Sequence, residues 1–369
     1  MRAVRLEPKL LRMYFHDDKR YRPGELPRRL WVQGLLATTA ALVFNPSAAL
    51  AQTGDKIRIN LMLDDASSML HLPVLLAQHL GYFKAEGLQV DVVEQPFAAV
   101  AAAPPAAPVL HVWSAPLLQS LYASRVADPW VSVVQTGRTP QLALGGPRKV
   151  LAGIKSLKDL EGKKIGVLEL GSQAQLCVDY SVLLAGANPK NINYIALGNP
   201  LNAASMLRGG GIDLLCAGDP LVTVLEKKGE FEALRNFRSL KETQRVFSGL
   251  VPGNSLLVPL SVAAKNPAAC QSLVNGVVRA AKWLRTAGPS DLLGSMLDST
   301  YLTDRAIYLN AVDNMRESYA IDGVLSSEAF ATALRVCNTL DPVLAGERKK
   351  NTNPYTNEFV LQAKKRFNV

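Results

Sequence analysis

The chain has 369 residues, and 41 lysines and arginines against 31 aspartates and glutamates give it a formal net charge of +10. The first 51 residues contain 9 basic and 4 acidic residues, which leaves 32 basic and 27 acidic residues, a formal charge of +5, for the remainder. Half of the net positive charge therefore lies in the first 51 residues. The sequence has no basic stripe with interleaved aromatic residues, so nucleic acid is excluded as a partner.

The N-terminal segment is typical of an export signal. A basic, polar stretch ends in Arg28-Arg29, an apolar run follows over residues 35–44, and the small residues Ala49 and Ala51 flank Leu50. These three parts indicate a secretory signal peptide, and an apolar run of about ten residues is too short to span a bilayer core of about 30 Å. We predict a signal peptide over 1–51, cleaved near Ala51, and a periplasmic mature protein. A buried N-terminal helix is the alternative. The paired arginines also resemble a twin-arginine signal, and the choice of export route stays open.

After this segment the pattern of apolar residues alternates between strands and helices. It predicts strands at 57–63, 88–93, 109–113 and 130–135, with helices at 72–83 and 116–123 between them. Gly81 is expected to end or loosen the first helix. This alternation indicates βαβ units and a largely parallel sheet.

The pattern restarts after a polar connector at 154–160. It predicts further strands at 163–168, 193–197 and 212–216, and helices at 172–185, at 201–208 and after Pro220. Beyond residue 258 the chain becomes mostly helical, with helices at 267–286, 304–318 and 326–340 and a basic terminal helix. Two α/β halves with a helical tail predict two lobes, and the length suffices for two sizeable cores.

The cysteines and histidines are scattered. No two of the four cysteines form a C-x-x-C pair, and the spacings match no zinc site, so we predict no metal site and no cofactor. Cys270 and Cys337 both fall in predicted helices. In an oxidising compartment a disulfide between them and two buried free thiols are both open.

Three blocks of sequence resemble one family. Residues 72–88 contain Gly81-Tyr82-Phe83 and an acidic turn ending in Gly87-Leu88, residues 154–167 form the connector and the following strand, and residues 204–220 end in Gly218-Asp219-Pro220. In this order they resemble the substrate-binding proteins of nitrate, sulfonate and taurine ABC importers and their thiamine-pyrimidine-precursor relatives. The resemblance covers most of residues 56–340.

The resemblance implies an α/β fold of the type II periplasmic-binding-protein class, with two α/β lobes joined by a two-strand hinge. Lobe one is expected from 55–143 plus 255–369 and lobe two from 144–254, with hinge strands near 142–145 and 249–258. The implied function is capture of a small organic or anionic solute and its delivery to an ABC permease in the inner membrane. A monomer without enzyme activity is expected.

The ligand is expected where strands end and helices begin, because free backbone N–H groups and the helix dipole meet there. Four turns fit this description, and in addition Asn199 follows Gly198 as a polar candidate. The predicted ligand-binding residues are Asp65, Ser67, Ser68, Trp113, Ser114, Ala115, Glu169, Gly171, Ser172, Gln173, Asn199 and Asp219.

Each of these residues also has a purely structural interpretation. Serine and aspartate at such turns are ordinary N-caps, Trp113 can be a core residue instead of a stacking partner, and Asn199 can be a turn residue. Gly171-Ser172 is the preferred contact, since the family places a polar ligand group at that helix start. Glu169 and Asp219 are expected to favour a cationic group if they face the cleft.

Two other functional classes stay open beside transport. Related lobes act as enzymes in thiamine-pyrimidine and menaquinone-precursor chemistry, but the sequence shows no nucleophile–base pair. A ligand receptor for a sensor protein would use the same ligand-driven closure as an importer component.

Overall fold

The computed structural model describes residues 57–96, 109–123, 129–295, 304–343, 345 and 354–369. The predicted signal peptide and its cleavage site near Ala51 lie outside these residues. Within the described ranges, no helix combines the length and the apolar character needed to cross a membrane.

Ten strands and fourteen α-helices are described along these ranges. The strands are β1 Ile57–Leu63, β2 Leu88–Glu94, β3 Leu110–Pro116, β4 Trp130–Gln135, β5 Leu142–Gly146, β6 Lys164–Val167, β7 Asn193–Ala196, β8 Leu214–Gly218, β9 Glu232–Asn236 and β10 Asn254–Pro259. The helices are α1 Leu72–His79, α2 Tyr82–Ala85, α3 Leu117–Ala123, α4 Arg148–Leu151, α5 Gln173–Leu184, α6 Asn202–Gly209, α7 Leu221–Lys227, α8 Leu240–Phe247, α9 Leu260–Lys265, α10 Pro267–Thr286, α11 Pro289–Gly294, α12 Arg305–Met315, α13 Ser327–Leu340 and α14 Glu358–Phe367.

Two five-stranded sheets form the frame. Sheet 1 has the order β2-β1-β3-β10-β4 and sheet 2 the order β7-β6-β8-β5-β9. In sheet 1, β1 pairs in parallel with β2 and β3, and β10 pairs antiparallel with β3 and β4. In sheet 2, β6 pairs in parallel with β7 and β8, and β5 pairs antiparallel with β8 and β9. The two halves therefore have the same arrangement of strands, and together they form a two-lobe α/β fold.

The chain crosses between the sheets twice, from β4 to β5 and from β9 to β10. The two crossings touch, because the N–H of Gly253 donates to the carbonyl of Gly137 at 2.8 Å and that of Gln141 donates to the carbonyl of Phe237 at 3.2 Å. A side chain at Gly253 would meet the carbonyl of Thr139 at 2.1 Å, so this close approach of two backbones requires glycine. The predicted hinge segments near 142–145 and 249–258 overlap β5 and β10, and the hinge and the lobe boundaries given above stay predictions.

Two main hydrophobic cores stabilise the fold. One lies in the first half, where α1 and the long helix α10 cover sheet 1. The other contains Trp113 and Leu118 from the first half together with Leu144 and Phe247 from the second. Helix α13 contacts both α3 and α5, so this second core is continuous from one half to the other.

Most predicted elements are confirmed within one to three residues, and the differences have local causes. The predicted helix at 72–83 is two helices, because Gly81 adopts a left-handed φ of 71° at the break. Pro220 is the N-cap of α7, one position before the first turn where it was expected. All four cysteines are buried free thiols, and Cys270 and Cys337 lie in different cores. The alternative of a disulfide between them is therefore wrong.

Candidate ligand-binding cleft

A cleft of about 740 Å³, counting its open mouth, lies between the two sheets at the carboxyl ends of the parallel strands. The first half contributes residues that follow β1 and β3, namely Asp64, Asp65, Ser67, Ser68, Leu70, Pro116 and Gln119. The second half contributes residues at β5 and after β6, β7 and β8, namely Leu142, Leu168, Ser172, Gln173, Ala174, Leu197, Pro200, Cys216, Ala217, Gly218, Asp219, Pro220 and Leu221. The lining is therefore mostly apolar, and each of the two walls also contributes polar side chains.

A hydrogen-bonded chain of side chains supports the first wall. The Asp64 carboxylate lies 2.6 Å from Nε2 of His71, and Nδ1 of His71 lies 2.8 Å from the hydroxyl of Ser114. Asn254 on β10 places Nδ2 at 3.0 Å from the same Nδ1. Burial acts to raise the pKa of Asp64, but the hydrogen bond and the electrostatic interaction with His71, together with nearby backbone N–H groups, outweigh it, so the pKa lies below 3.8. Asp64 is thus an ionised carboxylate at the cleft.

The neighbouring turn is held by its own side chains. One carboxylate oxygen of Asp65 accepts hydrogen bonds from the N–H of Ser67 at 2.8 Å and from its hydroxyl at 2.6 Å. Ser68 caps the short 3-10 turn Met69–His71 by accepting the N–H of Leu70 at 3.3 Å. The cap interpretation therefore describes Ser68, and all three predicted residues of this turn also line the cleft.

The opposite wall begins at the N-terminus of α5, where Ser172 is the N-cap residue. Its side chain makes no capping bond, and its buried hydroxyl has no partner in the described part of the chain. Gln173, the first helical residue, is 2% exposed and donates from Nε2 to the carbonyl of Pro140 at 2.8 Å. Its Oε1 is buried and has no partner among the same residues. Two buried polar atoms at this helix start thus lack a hydrogen-bond partner among the described residues.

The turn before α5 is fixed by a separate relay. Gly171, in a left-handed conformation with a φ of 75°, donates its N–H to Gln175 at 2.8 Å, and Gln175 donates to Asp179 at 3.4 Å. The hydroxyl of Tyr194 donates to the other oxygen of Asp179 at 2.6 Å. Burial raises the pKa of Asp179, although these two hydrogen bonds oppose the change. The relay connects β7 with the turn and so positions Ser172.

Asp219 lies at the cleft with its charge already paired inside the protein. Its carboxylate accepts the N–H and the hydroxyl of Thr223, at 2.9 and 2.6 Å, and the guanidinium of Arg238 at 3.0 Å. Arg238 also contacts Glu226 at 2.8 Å. Burial acts to lower the pKa of Arg238, but the two carboxylates raise it overall. Asp219 therefore accepts hydrogen bonds from the first turn of α7 and offers no free charge to a ligand.

Six of the predicted residues are absent from the cleft lining. Trp113 is 2% exposed and packs edge-on against Trp130, with ring centroids 6.1 Å apart, so it belongs to the second core. Ala115 lies on the same face of β3 as Trp113 and is buried in the second core, and Ser114 is fully buried on the opposite face beside His71. Asn199 is an exposed turn residue that accepts the N–H of Leu201 at 2.8 Å. Glu169 and Gly171 lie in the turn before α5 and do not line the cleft.

Sequence reasoning missed four residues that shape the site, of which Asp64 directly precedes the predicted Asp65. Gln119 has a recognisable position, since it lies three residues after Pro116 in the first turn of a helix that starts at a strand end. His71 and Arg238 have no such signal, because each acts through a partner that only the tertiary fold brings near. Among the described residues, no three His, Cys, Asp or Glu side chains are grouped closely enough to hold a metal ion.

The two halves touch across the cleft. The N–H of Met69 donates to the carbonyl of Asp219 at 2.9 Å, and Nδ2 of Asn314 donates to the hydroxyl of Thr223 at 2.8 Å. Both bonds join elements of the sheet 1 half to the start of α7. The cleft is therefore narrowed by direct contacts between its walls.

Solved structures share this architecture. A protein from Bordetella bronchiseptica RB50 is 28% identical, with a TM-score of 0.76 over 85% of this chain and 99% of its own. The periplasmic aliphatic sulphonate binding protein SsuA from Escherichia coli is 18% identical, with a TM-score of 0.58 over 79% of this chain and 87% of its own. The desulfurization enzyme DszB is 14% identical, with a TM-score of 0.52 over 84% of this chain and 99% of its own. The fold thus occurs in a binding protein and in an enzyme.

A search of curated protein sequences finds no significant match. The family profile described as NMT1/THI5 like matches residues 68–287, which include the second cleft wall, the part of the first wall from Ser68 onward and both chain crossings. Because this match spans more than half of the sequence, the chain belongs to the NMT1/THI5-like family.

Proposed function

We propose that this chain is an extracytoplasmic solute-binding protein that captures a small organic solute between its two lobes and delivers it to an ABC importer. One observation carries the proposal: a single cleft is lined from both halves by strand ends and helix starts. Such a site is complete only when the halves approach each other, so occupancy and closure are coupled. The family and the structure of SsuA agree with this function.

The two chain crossings supply the place for the motion. In the proposed cycle, a solute enters the open cleft, contacts Asp64 and Asp65 on one wall and Ser172 and Gln173 on the other, and bridges them. The Met69–Asp219 and Asn314–Thr223 bonds then form across the closed cleft. The permease recognises the joined outer surfaces of both lobes.

Export from the cytoplasm completes the proposal. The N-terminal sequence has the parts of a signal peptide, and an importer component of this class works on the outer side of the inner membrane. The protein then acts as a periplasmic monomer, with the permease and the small solute as its partners.

An enzyme is the second candidate, because Asp64, His71 and Ser114 form a Ser–His–Asp arrangement. The geometry argues against its use as a catalytic triad. Ser114 is fully buried and does not line the cleft, and Asn254 donates to its hydroxyl at 3.3 Å. Cys216 does line the cleft, but burial raises the pKa of its thiol and so suppresses the thiolate. Binding without chemical change is therefore the function that the geometry favours.

A thermal-shift screen of the purified protein tests the proposal. The library holds sulfonates, nitrate, taurine, pyrimidines, aromatic acids and amines. A solute that binds only the folded protein at a hundred times its dissociation constant adds roughly 2.7 kcal/mol to the free energy of unfolding. We expect a saturable shift, unchanged solute on recovery, and a smaller radius of gyration in solution scattering.

Matched variants connect a positive result to the cleft. Ser172→Trp fills the start of α5 and should abolish the shift while the protein stays folded. Ser205→Trp adds the same side chain to exposed α6, away from the cleft lining, and should leave the shift intact. Turnover of the solute, or normal binding by Ser172→Trp, would contradict the proposal.

A further inference from the structure

The charges at the cleft are unbalanced. Among the described lining residues there are three carboxylates, on Asp64, Asp65 and Asp219, and no lysine or arginine. Arg238 neutralises Asp219 from behind the lining. The charge of the cleft therefore depends on Asp64 and Asp65.

The contact between His71 and Asp64 leaves the pair without a net positive charge. Nε2 of His71 lies 2.6 Å from Oδ1 of Asp64, and Nδ1 lies 2.8 Å from the hydroxyl of Ser114 and 3.0 Å from Nδ2 of Asn254. Asn254 also donates from Nδ2 to the carbonyl of Leu70 at 3.0 Å, which fixes the orientation of its amide. The imidazole can carry at most one positive charge, and the carboxylate that it contacts balances that charge.

Asp65 adds a carboxylate beside that of Asp64. Both of its hydrogen bonds with Ser67 end on one carboxylate oxygen, Oδ1. For its Oδ2, no partner exists within the described ranges. Two adjacent carboxylates thus lie at the cleft, and the described lining places no lysine or arginine beside them.

An independent observation on the opposite wall indicates the same ligand chemistry. The Oε1 of Gln173 is a buried acceptor without a donor in the described part of the chain, and the bond from Nε2 to the carbonyl of Pro140 fixes which end of the amide it is. A buried acceptor without a donor costs free energy. A ligand that donates a hydrogen bond there removes this cost.

An anion is disfavoured by the same arrangement. The N-terminus of α5 carries about half an elementary positive charge, and the carboxylates of Asp64 and Asp65 face it from the other wall. The first N–H of the helix, that of Gln173, is already taken by Oε1 of Gln119 at 3.3 Å. Most other lining side chains are apolar, and burial of a charge among them requires an opposite charge.

We propose that the solute is an organic cation: an amine or amidine whose positive group contacts Asp64 and Asp65 and whose apolar body lies on the leucines of the cleft. A hydrogen-bond donor on the solute meets Gln173. This inference rests on the proposed binding function and specifies its substrate class.

Matched probes test the charge directly. Three apolar bodies, phenylethyl, cyclohexylethyl and butyl, each carry an ammonium, a hydroxyl or a sulfonate group, and thermal shift and calorimetry measure their binding to the purified protein. We expect the ammonium member of a series to bind at least about tenfold more tightly than the hydroxyl member, as a charge-assisted hydrogen bond requires. The sulfonate member should bind most weakly.

Isosteric variants assign the effect to the carboxylates. Asp65→Asn keeps an oxygen for Ser67 and should weaken ammonium binding about tenfold while hydroxyl binding stays the same. Asp64→Asn should act alike, and Asp91→Asn on the exposed strand β2 makes the same change of net charge away from the lining and should have no effect. Asp65→Asn keeps the inference testable if Asp64→Asn does not fold.

Three other results would overturn the inference. Equal or tighter binding of the sulfonates would refute the charge argument and leave the binding function intact. Ammonium binding that is unchanged in both Asp64→Asn and Asp65→Asn would also refute the charge argument and leave the binding function intact. Absence of a shift with all nine probes would count against the substrate class and the proposed function together.

Discussion

The peptide groups of Met69 and Asp219 join the two halves of the molecule: the N–H of Met69 donates to the carbonyl of Asp219 at 2.9 Å. The carbonyl of Met69 in turn accepts the hydroxyl of Tyr319 at 2.9 Å. The turn that carries Asp65, Ser67 and Ser68 is thereby tied to the end of β8. Because the bond uses backbone atoms, its formation depends on the separation of the two halves and not on the identity of a side chain.

The side-chain contact between Asn314 and Thr223 lets this separation be tested. Asn314→Ala removes a cross-cleft hydrogen bond, which contributes about 0.5–1.5 kcal/mol to the closed form. We therefore expect the affinity for the solute found in the screen to fall roughly two- to tenfold, measured by titration calorimetry. Asn310→Ala, one turn earlier on α12, removes a bond within the helix to Ala306 and should leave the affinity unchanged. Equal affinities of both variants would show that the contact does not stabilise closure.

The buried pair of Arg238 and Asp219 should be important for folding. Arg238 is 4% exposed and the side chain of Asp219 is fully buried, so Arg238→Met leaves an uncompensated buried carboxylate. We expect a loss of about 3–5 kcal/mol in the free energy of unfolding, measured by urea denaturation. Arg208→Met breaks the exposed pair with Glu230 and should cost less than about 1 kcal/mol. Similar losses in the two variants would contradict this view of Asp219.

Acid should reveal the contribution of Asp64. Its pKa is lowered in the folded protein, so the unfolded chain binds the proton more readily, and stability rises with pH through this window. The contribution is complete above the unfolded value of 3.8 and is lost as the pH falls below it. Urea midpoints of the wild type and Asp64→Asn should therefore differ at pH 5 and converge toward pH 3. A difference that persists at pH 3 would assign the stabilisation to something other than the carboxylate charge.

The four cysteines should be unreactive in the native protein. All are buried, and burial raises the pKa of Cys177 and Cys216 and that of Cys270 to about 11. At mildly alkaline pH we expect no reaction with a thiol reagent in the folded state and four equivalents in guanidinium. Two equivalents after denaturation would indicate a disulfide, in conflict with the separation of Cys270 from Cys337 into different cores.

The sequence predicts helices and strands well where a periodic pattern of apolar residues coincides with a start or stop signal such as proline. It predicts them less well elsewhere. The helix α10 is predicted at its observed bounds because Pro267 starts it and an apolar stripe follows. Strand β9 and helix α8 are missed, since Glu232–Asn236 is a polar edge strand without alternation and α8 begins in a polar stretch. A pattern of residues along the chain cannot predict an edge strand whose position depends on the strand with which it pairs.

The same division holds for the cleft. Ser172 and Gln173 are predictable, because a glycine, a hydroxyl residue and a helix start follow one another. The pairing of Asp219 with Arg238 spans 19 residues, and that of His71 with Asn254 spans 183. These partners determine how the carboxylates at the cleft are paired within the protein. Local sequence therefore places the turns of the site, while its electrostatic character depends on contacts that only the fold creates.

The continuous second core bears on how the protein unfolds. Helix α13 contacts α3 in one half and α5 in the other, and Trp113 and Phe247 belong to the same buried cluster. Neither half can lose this packing without exposing apolar surface of its partner. The lobes are two in topology, but they share one cooperative unit. We therefore expect the halves to pivot on this packed interior in the proposed binding cycle, and a substitution that loosens one half to destabilise the other.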